Sequence, residues 1–286
     1  MHGISEVDQQ QLIQAVTQWH QIGLTRPKVW LVAGSGLSGD LGVGESSNEV
    51  LLQDLLPFEV RPVVGHPHKI TVFDDSANGA IAYQQGRLHL YQGYSAAEVA
   101  FTVRLAASLG AQTLVMSNAA GSLRSEIGPG ALAVITDHLN LTGRNPLVGA
   151  VPNEWGPQFP DMTTAYDPDL VALAKKHASS MDLQLPSGTY AGLLGPSYET
   201  GAEVRMVGAM GGELVGMSTV TEVIAAHHMG MRCLCFSMVS NLAAGMTTDP
   251  LRHDEVLDAA AETTIHFARL LRLLLADSAL TAEVDR

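Results

Sequence analysis

The run KVWLVA (28–33) leads directly into the glycine-rich turn GSGLSG (34–39), and this junction indicates the architecture of the 286-residue chain. A short apolar run of this length is typical of a buried strand, and the glycines mark its end. Further short apolar runs lie at 79–84, 112–117, 131–136, 188–194 and 231–239. Helical spacing of apolar residues is found at 6–22, 96–109, 168–181, 200–211, 219–229 and 252–275. This alternation predicts an α/β fold with a mixed, largely parallel central sheet, and the absence of repeats or composition breaks predicts a single domain over 1–286.

The composition excludes several broad classes of function. The chain carries 16 Lys and Arg against 29 Asp and Glu, a formal net charge of −13, which argues against a general nucleic-acid or membrane-surface binder. No apolar run approaches the roughly 20 residues that span a bilayer, and no secretory signal is visible at the N-terminus. Cys233 and Cys235 are two apart in a predicted strand, a spacing that rarely bridges and is not a zinc motif. We therefore expect a reduced, cytoplasmic protein with no membrane segment and no metal.

The glycine turn after the first strand fits the pattern GxGxxG. A dinucleotide-binding fold needs that turn to open into an amphipathic helix, whereas here it continues as DLGVGE (40–45) without a helical stripe. Nicotinamide or flavin binding is therefore disfavoured, which leaves a plain turn or a loop that contacts phosphate. Ser35 favours the second, because its flanking glycines let backbone N–H groups approach an anion.

Two further loops contain cationic residues. The histidine pair in GHPHK (65–69) is, taken alone, more often surface decoration than function. In QGRLHLY (85–91) the residues Arg87, His89 and Tyr91 alternate, so in an extended segment they share one face. Arginine and histidine on one face can hold an anion, and a solvent-facing edge strand is the alternative interpretation.

Small or hydrogen-bonding residues follow several other predicted strands, where open α/β sheets bind their ligands. The segments are SNAAGS (117–122), GPSYET (195–200), GMSTV (216–220) and SN (240–241). Glu199 could instead belong to the first turn of a helix, and His253 could cap the last helix. No glycosidase-like carboxylate pair, HExxH or GxSxG motif is present. The residues alone therefore predict a small-molecule enzyme that handles an anion and a planar base.

Eight segments, in order along the chain, resemble the trimeric class of purine nucleoside phosphorylases, the family that also contains the methylthioadenosine phosphorylases. They are GSGL (34–37), GHPHK (65–69), GRLHLYQGY (86–94), SNAAGSL (117–123), DHLNLTGRNPLVG (137–149), GPSYET (195–200), VGMSTVTEV (215–223) and FSMVSN (236–241). The resemblance implies the nucleoside phosphorylase fold and the reversible conversion of a purine nucleoside and phosphate into free purine and ribose 1-phosphate. Inorganic phosphate is the co-substrate and no cofactor is implied. Phosphate is itself the nucleophile, and its charge stabilises an oxocarbenium-like sugar.

The resemblance also implies residue roles, position by position. Phosphate would be held by Ser35, His66, Arg87, His89, the Ala119 backbone and Ser218. The ribose would contact Tyr91, Met217 and, at its 5′-hydroxyl, His253. The purine would face Tyr198, donate its N1–H to Glu199 and bind Asn241 through N7 and O6, so that His89, Glu199 and Asn241 form the catalytic set. Trp155 would be supplied by the neighbouring subunit of a homotrimer.

Asn241 indicates 6-oxopurines such as inosine and guanosine, because family members that cleave 6-amino nucleosides tend to carry aspartate there. Xanthosine stays open as a further substrate. The alternatives are a methylthioadenosine phosphorylase and a non-catalytic nucleoside-binding protein with a decayed site. His68, where a small residue is usual, and Gln92 motivate the last of these. In the family a glutamate at the position of Gln92 often orients the site histidine. A carboxylate there raises the pKa of the histidine, and Gln92 does not supply one.

Overall fold

The structure is a computed structural model that describes residues 7–34, 46–61, 67–74, 79–149, 153–246 and 253–282. Within these ranges, nine strands form one sheet in the order β2-β3-β4-β1-β5-β8-β7-β6-β9, and β9 also pairs with β5. The strands are β1 (Pro27–Ala33), β2 (Ser46–Leu51), β3 (Lys69–Phe73), β4 (Ala80–Gln85), β5 (Thr113–Ser122), β6 (Leu132–Asn140), β7 (Ser187–Gly192), β8 (Leu214–Gly216) and β9 (Arg232–Leu242). Five pairings are parallel and four antiparallel, which confirms the predicted α/β fold with a mixed sheet.

The longer helices lie where the apolar spacing predicts them, whereas one short helix, Leu52–Leu55, was not predicted and one predicted helix is divided in two. The helices are α1 (Val7–Gln21), α2 (Leu52–Leu55), α3 (Ala96–Val99), α4 (Phe101–Ser108), α5 (Pro168–Ser179), α6 (Gly201–Ala209), α7 (Val220–His228) and α8 (His253–Ala276). The helix predicted over 96–109 is two helices that meet at Ala100. No helix in the described ranges combines the length and hydropathy needed to cross a membrane.

Apolar side chains cover both faces of the sheet. In β1, Trp30 packs towards α1, where its ring lies 5.6 Å from that of Trp19, while Leu31 belongs to the cluster on the opposite face. Helices α1, α4 and α7 contribute to the first cluster, and α5 and α8 to the second. Burial on both faces explains why these strands appear in the sequence as continuous apolar runs.

Candidate active site

A cavity lies where the carboxyl ends of the parallel strands β1, β5 and β9 meet. The close approach of β1 to β5 requires glycine at position 34, because a Cβ there would lie 2.7 Å from the Ser117 carbonyl oxygen. Segments that follow β4 and β8 and precede α6 complete the wall. Nine of the predicted site residues line this cavity: Arg87, His89, Tyr91, Ala119, Tyr198, Glu199, Met217, Ser218 and Asn241.

The other predicted contacts are distributed differently. Ser35 and His66 lie outside the described residues. His253 is the first residue of α8, and its side chain is likewise not described. His68 is buried, with backbone φ of +51°, and is not among the residues that line the cavity. His68 therefore contributes no side chain to the described cavity wall.

Arg87 is the cationic centre of the cavity wall. The residue is only 1% exposed, and its guanidinium donates to the Ser117 carbonyl at 2.7 Å and to Ser218 Oγ at 2.9 Å. A weaker bond reaches Thr219 Oγ1 at 3.3 Å, and Nε lies 3.7 Å from Glu222 Oε1. Burial raises the pKa of Glu222, and the charge of Arg87 opposes this shift. A rigid local positive charge thus exists in a chain whose overall charge is negative.

The turn that carries Met217 and Ser218 is fixed by residues that the sequence analysis did not single out. Thr219 caps α7 with φ of +71°, an unusual conformation for a β-branched residue. Glu222 accepts the Thr219 N–H at 3.0 Å, and Asn118 Nδ2 donates to Thr219 Oγ1 at 2.9 Å. The spacing Thr219-x-x-Glu222 is the capping-box pattern, which could have revealed this turn from the sequence.

The segment after β4 is extended at His89 but not beyond it, so the predicted alternation of Arg87, His89 and Tyr91 along one extended strand is wrong at Tyr91. Leu90–Gln92 forms a short 3₁₀ helix instead, because Gln92 Oε1 folds back and accepts the His89 N–H at 2.9 Å. The turn brings the rings of His89 and Tyr91 into a stack with centroids 4.7 Å apart. All three side chains nevertheless reach the cavity. Burial raises the pKa of Tyr91, and the charge of Arg87 opposes this effect.

Asn241 presents an amide of known orientation at the end of β9. Its Oδ1 accepts from Ser240 Oγ at 2.7 Å, and its Nδ2 donates to the Leu242 carbonyl at 2.9 Å. A primary amide has two acceptor lone pairs and two N–H donors, so each end keeps one for a ligand. The arrangement can therefore bind an adjacent donor and acceptor at the same time.

Glu199 and Tyr198 lie on the opposite side of the cavity, immediately before α6. Thr200 caps that helix and Glu203 occupies its first turn, so the alternative role of Glu199 as a first-turn acid is wrong. Burial raises the pKa of Glu199 above its ordinary value, and the neighbouring charge of Glu203 acts in the same direction. Tyr198 is 80% exposed at the mouth of the cavity.

The prediction that Trp155 reaches a neighbouring subunit is wrong, because this residue is buried in its own chain. Its side chain is 9% exposed and packs into the core of its own chain, with the Arg104 guanidinium 4.8 Å above the ring. An aromatic that reaches a second subunit has to be exposed in the single chain. Phe159, four residues later, is 85% exposed.

Helix α7 holds the segment that carries Phe159. His228 Nε2 lies 3.1 Å from the Pro157 carbonyl oxygen, and His227 Nε2 lies 2.8 Å from that of Asp161. Gly156 has φ of +151°, and a Cβ there would lie 2.0 Å from the His228 carbonyl oxygen. The segment therefore passes in direct contact with the carboxyl end of α7.

In this α/β sheet, a buried arginine, a carboxylate and an amide surround one cavity at the strand ends. Such a site is typical of enzymes that act on an anion and a flat polar ring. The model of the Phosphorylase superfamily matches residues 35–276. Purine nucleoside phosphorylase 1 of Bacillus subtilis is 43% identical over 252 residues, which is 87% of this chain and 92% of that protein. Purine nucleoside phosphorylase of Mycobacterium tuberculosis is 43% identical over 250 residues, covering 87% and 89%.

The solved structures agree with the sequence relatives. Isoform 2 of purine nucleoside phosphorylase from Schistosoma mansoni, in complex with cytosine and ribose-1-phosphate, superimposes with a TM-score of 0.86 at 31% identity. The match covers 94% of this chain and 96% of that one. The chain belongs to the Phosphorylase superfamily and, within it, to the purine nucleoside phosphorylases.

Proposed function

We propose that the protein catalyses the reversible phosphorolysis of 6-oxopurine nucleosides, inosine and guanosine, to free purine and ribose 1-phosphate. The observation that carries this proposal is the amide of Asn241, with one donor and one acceptor left for a ligand. A departing 6-oxopurine protonated at N7 presents a donor at N7 and an acceptor at O6, which is the complementary pair. A 6-amino group would instead place an N–H donor opposite the Asn241 Nδ2 donor, so that neither group has an acceptor.

Phosphate supplies the nucleophile, with Arg87 and Ser218 as its main described partners. Arg87 Nη1 already bonds Ser218 Oγ at 2.9 Å, so the guanidinium and the hydroxyl form a fixed pair. Both belong to the cavity wall, as does the backbone of Ala119. Phosphate held there brings its negative charge to the sugar, which stabilises positive charge that develops at the anomeric carbon as the base departs. Ser35, His66 and His253 are further proposed contacts.

The base and the sugar are held from the other side. Glu199 in its ionised form accepts the purine N1–H, and Tyr198 covers the ring from the mouth of the cavity. Tyr91 and Met217 pack around the ribose. Because reaction requires phosphate, sugar and base in line, the protein contributes chiefly by positioning them and by stabilising charge.

Base release from inosine, guanosine, xanthosine, adenosine and methylthioadenosine, each with and without phosphate, tests the proposal. We expect phosphate-dependent release from inosine and guanosine and little from adenosine. Preference for methylthioadenosine would favour the alternative phosphorylase. Binding of inosine without turnover on any of the five would favour a non-catalytic nucleoside-binding protein.

The variant Asn241→Asp directly tests the role proposed for the Asn241 amide. The carboxylate has no donor for O6 but accepts from a 6-amino group, so the adenosine-to-inosine ratio of kcat/KM should rise at least about tenfold. Asn140→Asp, in which the same change is made outside the cavity lining, is the matched control. An unchanged ratio in Asn241→Asp would count against the role assigned to this amide.

We also propose that the protein works as a cytoplasmic homotrimer, as one domain over 1–286, in which each subunit contributes to its neighbour's ribose site. Phe159 is exposed, and the loop that carries it is held firmly against α7, which supports a ribose site shared between subunits. In this proposal Phe159 replaces Trp155 as the aromatic that reaches the neighbouring subunit. Cys233 and Cys235 are free and buried, which is consistent with a reducing compartment.

A further inference from the structure

Glu222 is a buried carboxylate that contacts both parts of the proposed phosphate site. The residue is 1% exposed and lies in the first turn of α7. Its Oε2 accepts the Thr219 N–H at 3.0 Å, and its Oε1 lies 3.7 Å from Arg87 Nε. Glu222 is not among the residues that line the cavity, so it acts on a bound anion only through these neighbours.

The contact between Glu222 and Arg87 is mainly one of charge. At 3.7 Å the two atoms are too far apart for a good hydrogen bond, whereas opposite charges at this separation attract each other inside a protein. Bonds to the Ser117 carbonyl at 2.7 Å and to Ser218 Oγ at 2.9 Å hold the guanidinium in place on its other side. The carboxylate therefore lowers the positive potential that Arg87 presents to an anion, without being needed to orient it.

The surroundings of Glu222 determine when it is charged. Burial raises its pKa, and the charge of Arg87 and the bond from the Thr219 N–H oppose this shift. The positive end of the α7 dipole also favours the carboxylate. From the sheet, Tyr190 and Cys235 interact with Glu222, but burial raises the pKa of both groups, so they stay neutral near pH 7. Glu222 is thus a buried acid that is ionised beside Arg87 and takes up a proton as pH falls.

We propose that Glu222 sets the affinity of the phosphate site, because its ionised carboxylate offsets the charge of Arg87 and weakens the binding of a dianion. The proposal rests on the proposed function in one respect, the contact of Arg87 with phosphate. A reversible phosphorolysis has to release ribose 1-phosphate in one direction and phosphate in the other. A buried arginine whose charge was not offset would retain both. Since binding and protonation are linked, a bound dianion in turn favours protonation of Glu222.

Calorimetric titration with sulfate between about pH 5.5 and 8.5 tests the proposal, because sulfate stays a dianion over this range whereas phosphate does not. Glu222→Gln removes the charge and keeps an oxygen for the Thr219 N–H. At about pH 8 its dissociation constant for sulfate should be at least about fivefold lower than that of the unmodified protein. As pH falls and Glu222 is protonated, the unmodified protein should gain affinity until the two constants converge. His89 and Glu199 are present in both proteins, so their titration affects both constants.

Glu213→Gln is the matched control. Glu213 also pairs with an arginine, Arg124 at 2.9 Å, and accepts a backbone N–H, that of Thr189 at 3.0 Å, but it lies outside the cavity lining. This variant should bind sulfate like the unmodified protein. Glu222→Gln should be less stable, because the charge of Arg87 is less well compensated, and sulfate should raise its Tm by more than it raises that of the unmodified protein.

Two results would overturn the proposal. Weaker sulfate binding by Glu222→Gln at every pH would make Glu222 only a cap of α7, and equal constants at every pH would show that its charge does not act on the anion. If the glutamine variant does not fold, Glu222→Asp decides. It keeps the charge but draws it back from Arg87, so it should bind sulfate as tightly as the unmodified protein or more tightly, whereas a purely structural role predicts weaker binding because the shorter side chain no longer reaches the Thr219 N–H.

Failure of this proposal can be told apart from failure of the proposed function, because sulfate binding needs no turnover. If sulfate binds with the expected pH dependence but no nucleoside is cleaved, the proposed function is wrong and the role of Glu222 stands. If the unmodified protein binds neither sulfate nor phosphate, Arg87 is not an anion site and the role of Glu222 falls with it.

Discussion

In the proposed function, Glu199 is the residue at which charge and recognition of the base are most directly linked. In that role only its ionised form would be a full acceptor for the purine N1–H, and burial raises its pKa above the ordinary value. As pH falls, the carboxylate is therefore lost earlier than an ordinary glutamate would be. We expect kcat/KM for inosine to decline on the acid side through this raised pKa.

The variant Glu199→Gln should lower kcat/KM for inosine about 30- to 150-fold, corresponding to about 2–3 kcal/mol for a lost charge-assisted hydrogen bond. It should also remove the acid-side decline that Glu199 causes. The comparison variant is Glu203→Gln, a nearby carboxylate at the start of α6 and outside the cavity lining. Because the Glu203 charge raises the pKa of Glu199, this variant should move the acid-side decline slightly to lower pH without removing it. An acid limb that persists unchanged in Glu199→Gln would assign that titration to another group.

Single residues also show where sequence patterns stop being informative. Arg87, Glu199 and Asn241 could be found because they lie in strand-end loops, which an α/β sheet necessarily brings together. Trp155 and Phe159 could not be told apart, because a loop has no periodicity from which burial can be inferred. The burial of Trp155 depends on Arg104, 51 positions earlier in sequence, whose guanidinium packs on the ring.

At the scale of elements, the first turn of α5 depends on one buried ion pair. Asp167 accepts the N–H groups of Asp169 and Leu170 at 3.0 Å each and pairs with Arg232 Nε at 2.7 Å. Burial alone would raise the pKa of Asp167, but the bonds from Arg232 and the helix outweigh it, so the pKa is lowered. A depressed folded-state pKa stabilises the fold above the unfolded-state value, and this stabilisation is lost as pH falls through the folded-state value.

Asp167→Ala should reduce the free energy of unfolding by about 3–5 kcal/mol, because it leaves Arg232 buried without its carboxylate and removes the cap of α5. The measurement is the urea midpoint at pH 7, repeated at acid pH, where the difference between variant and parent should narrow. Asp169→Ala, an exposed carboxylate in the same turn, provides the comparison. Equal midpoints for the two variants would contradict the assigned role.

The segment of Phe159 is a second element whose position can be tested. Gly156→Ala places a Cβ where the His228 carbonyl already lies, so the segment must move off α7. If its aromatic completes a ribose site, the KM for inosine should rise at least about tenfold with little change in the KM for phosphate. Gly230→Ala imposes a similar positive-φ strain beside α7 with nothing within 4 Å of the new Cβ. If both variants raise the KM for inosine equally, backbone strain alone explains the result.

Most strands were predictable where burial imposed an apolar pattern, although β3 (Lys69–Phe73), a buried apolar run, was missed as well as β2 and β8. The strands β1, β5 and β9 have apolar neighbours on both faces, so their sequences are almost continuously hydrophobic. β2 begins with Ser46 and includes Asn48 and Glu49, as befits an edge strand, and β8 is only three residues long. Neither offers enough apolar residues for a period to be recognised.

For the molecule as a whole, the proposed trimer predicts a mass near 91 kDa in solution, three times that of the 30.3 kDa chain. Light scattering measures this directly. Mass alone does not show that a site is shared, because a trimer can form with each cavity complete in its own subunit. The decisive property is whether one subunit's Phe159 serves its neighbour's cavity.

Mixed oligomers distinguish these two arrangements. Phe159→Ala leaves its own cavity intact but deprives the neighbour of the aromatic, whereas Glu199→Gln disables its own cavity and still supplies Phe159. When both variants are unfolded together and refolded at equal amounts, some Phe159→Ala subunits acquire an intact aromatic from a Glu199→Gln neighbour. Activity should therefore exceed the mean of the two variants refolded separately. If Phe159 acts within its own chain, mixing restores nothing, and activity at that mean would overturn the shared site.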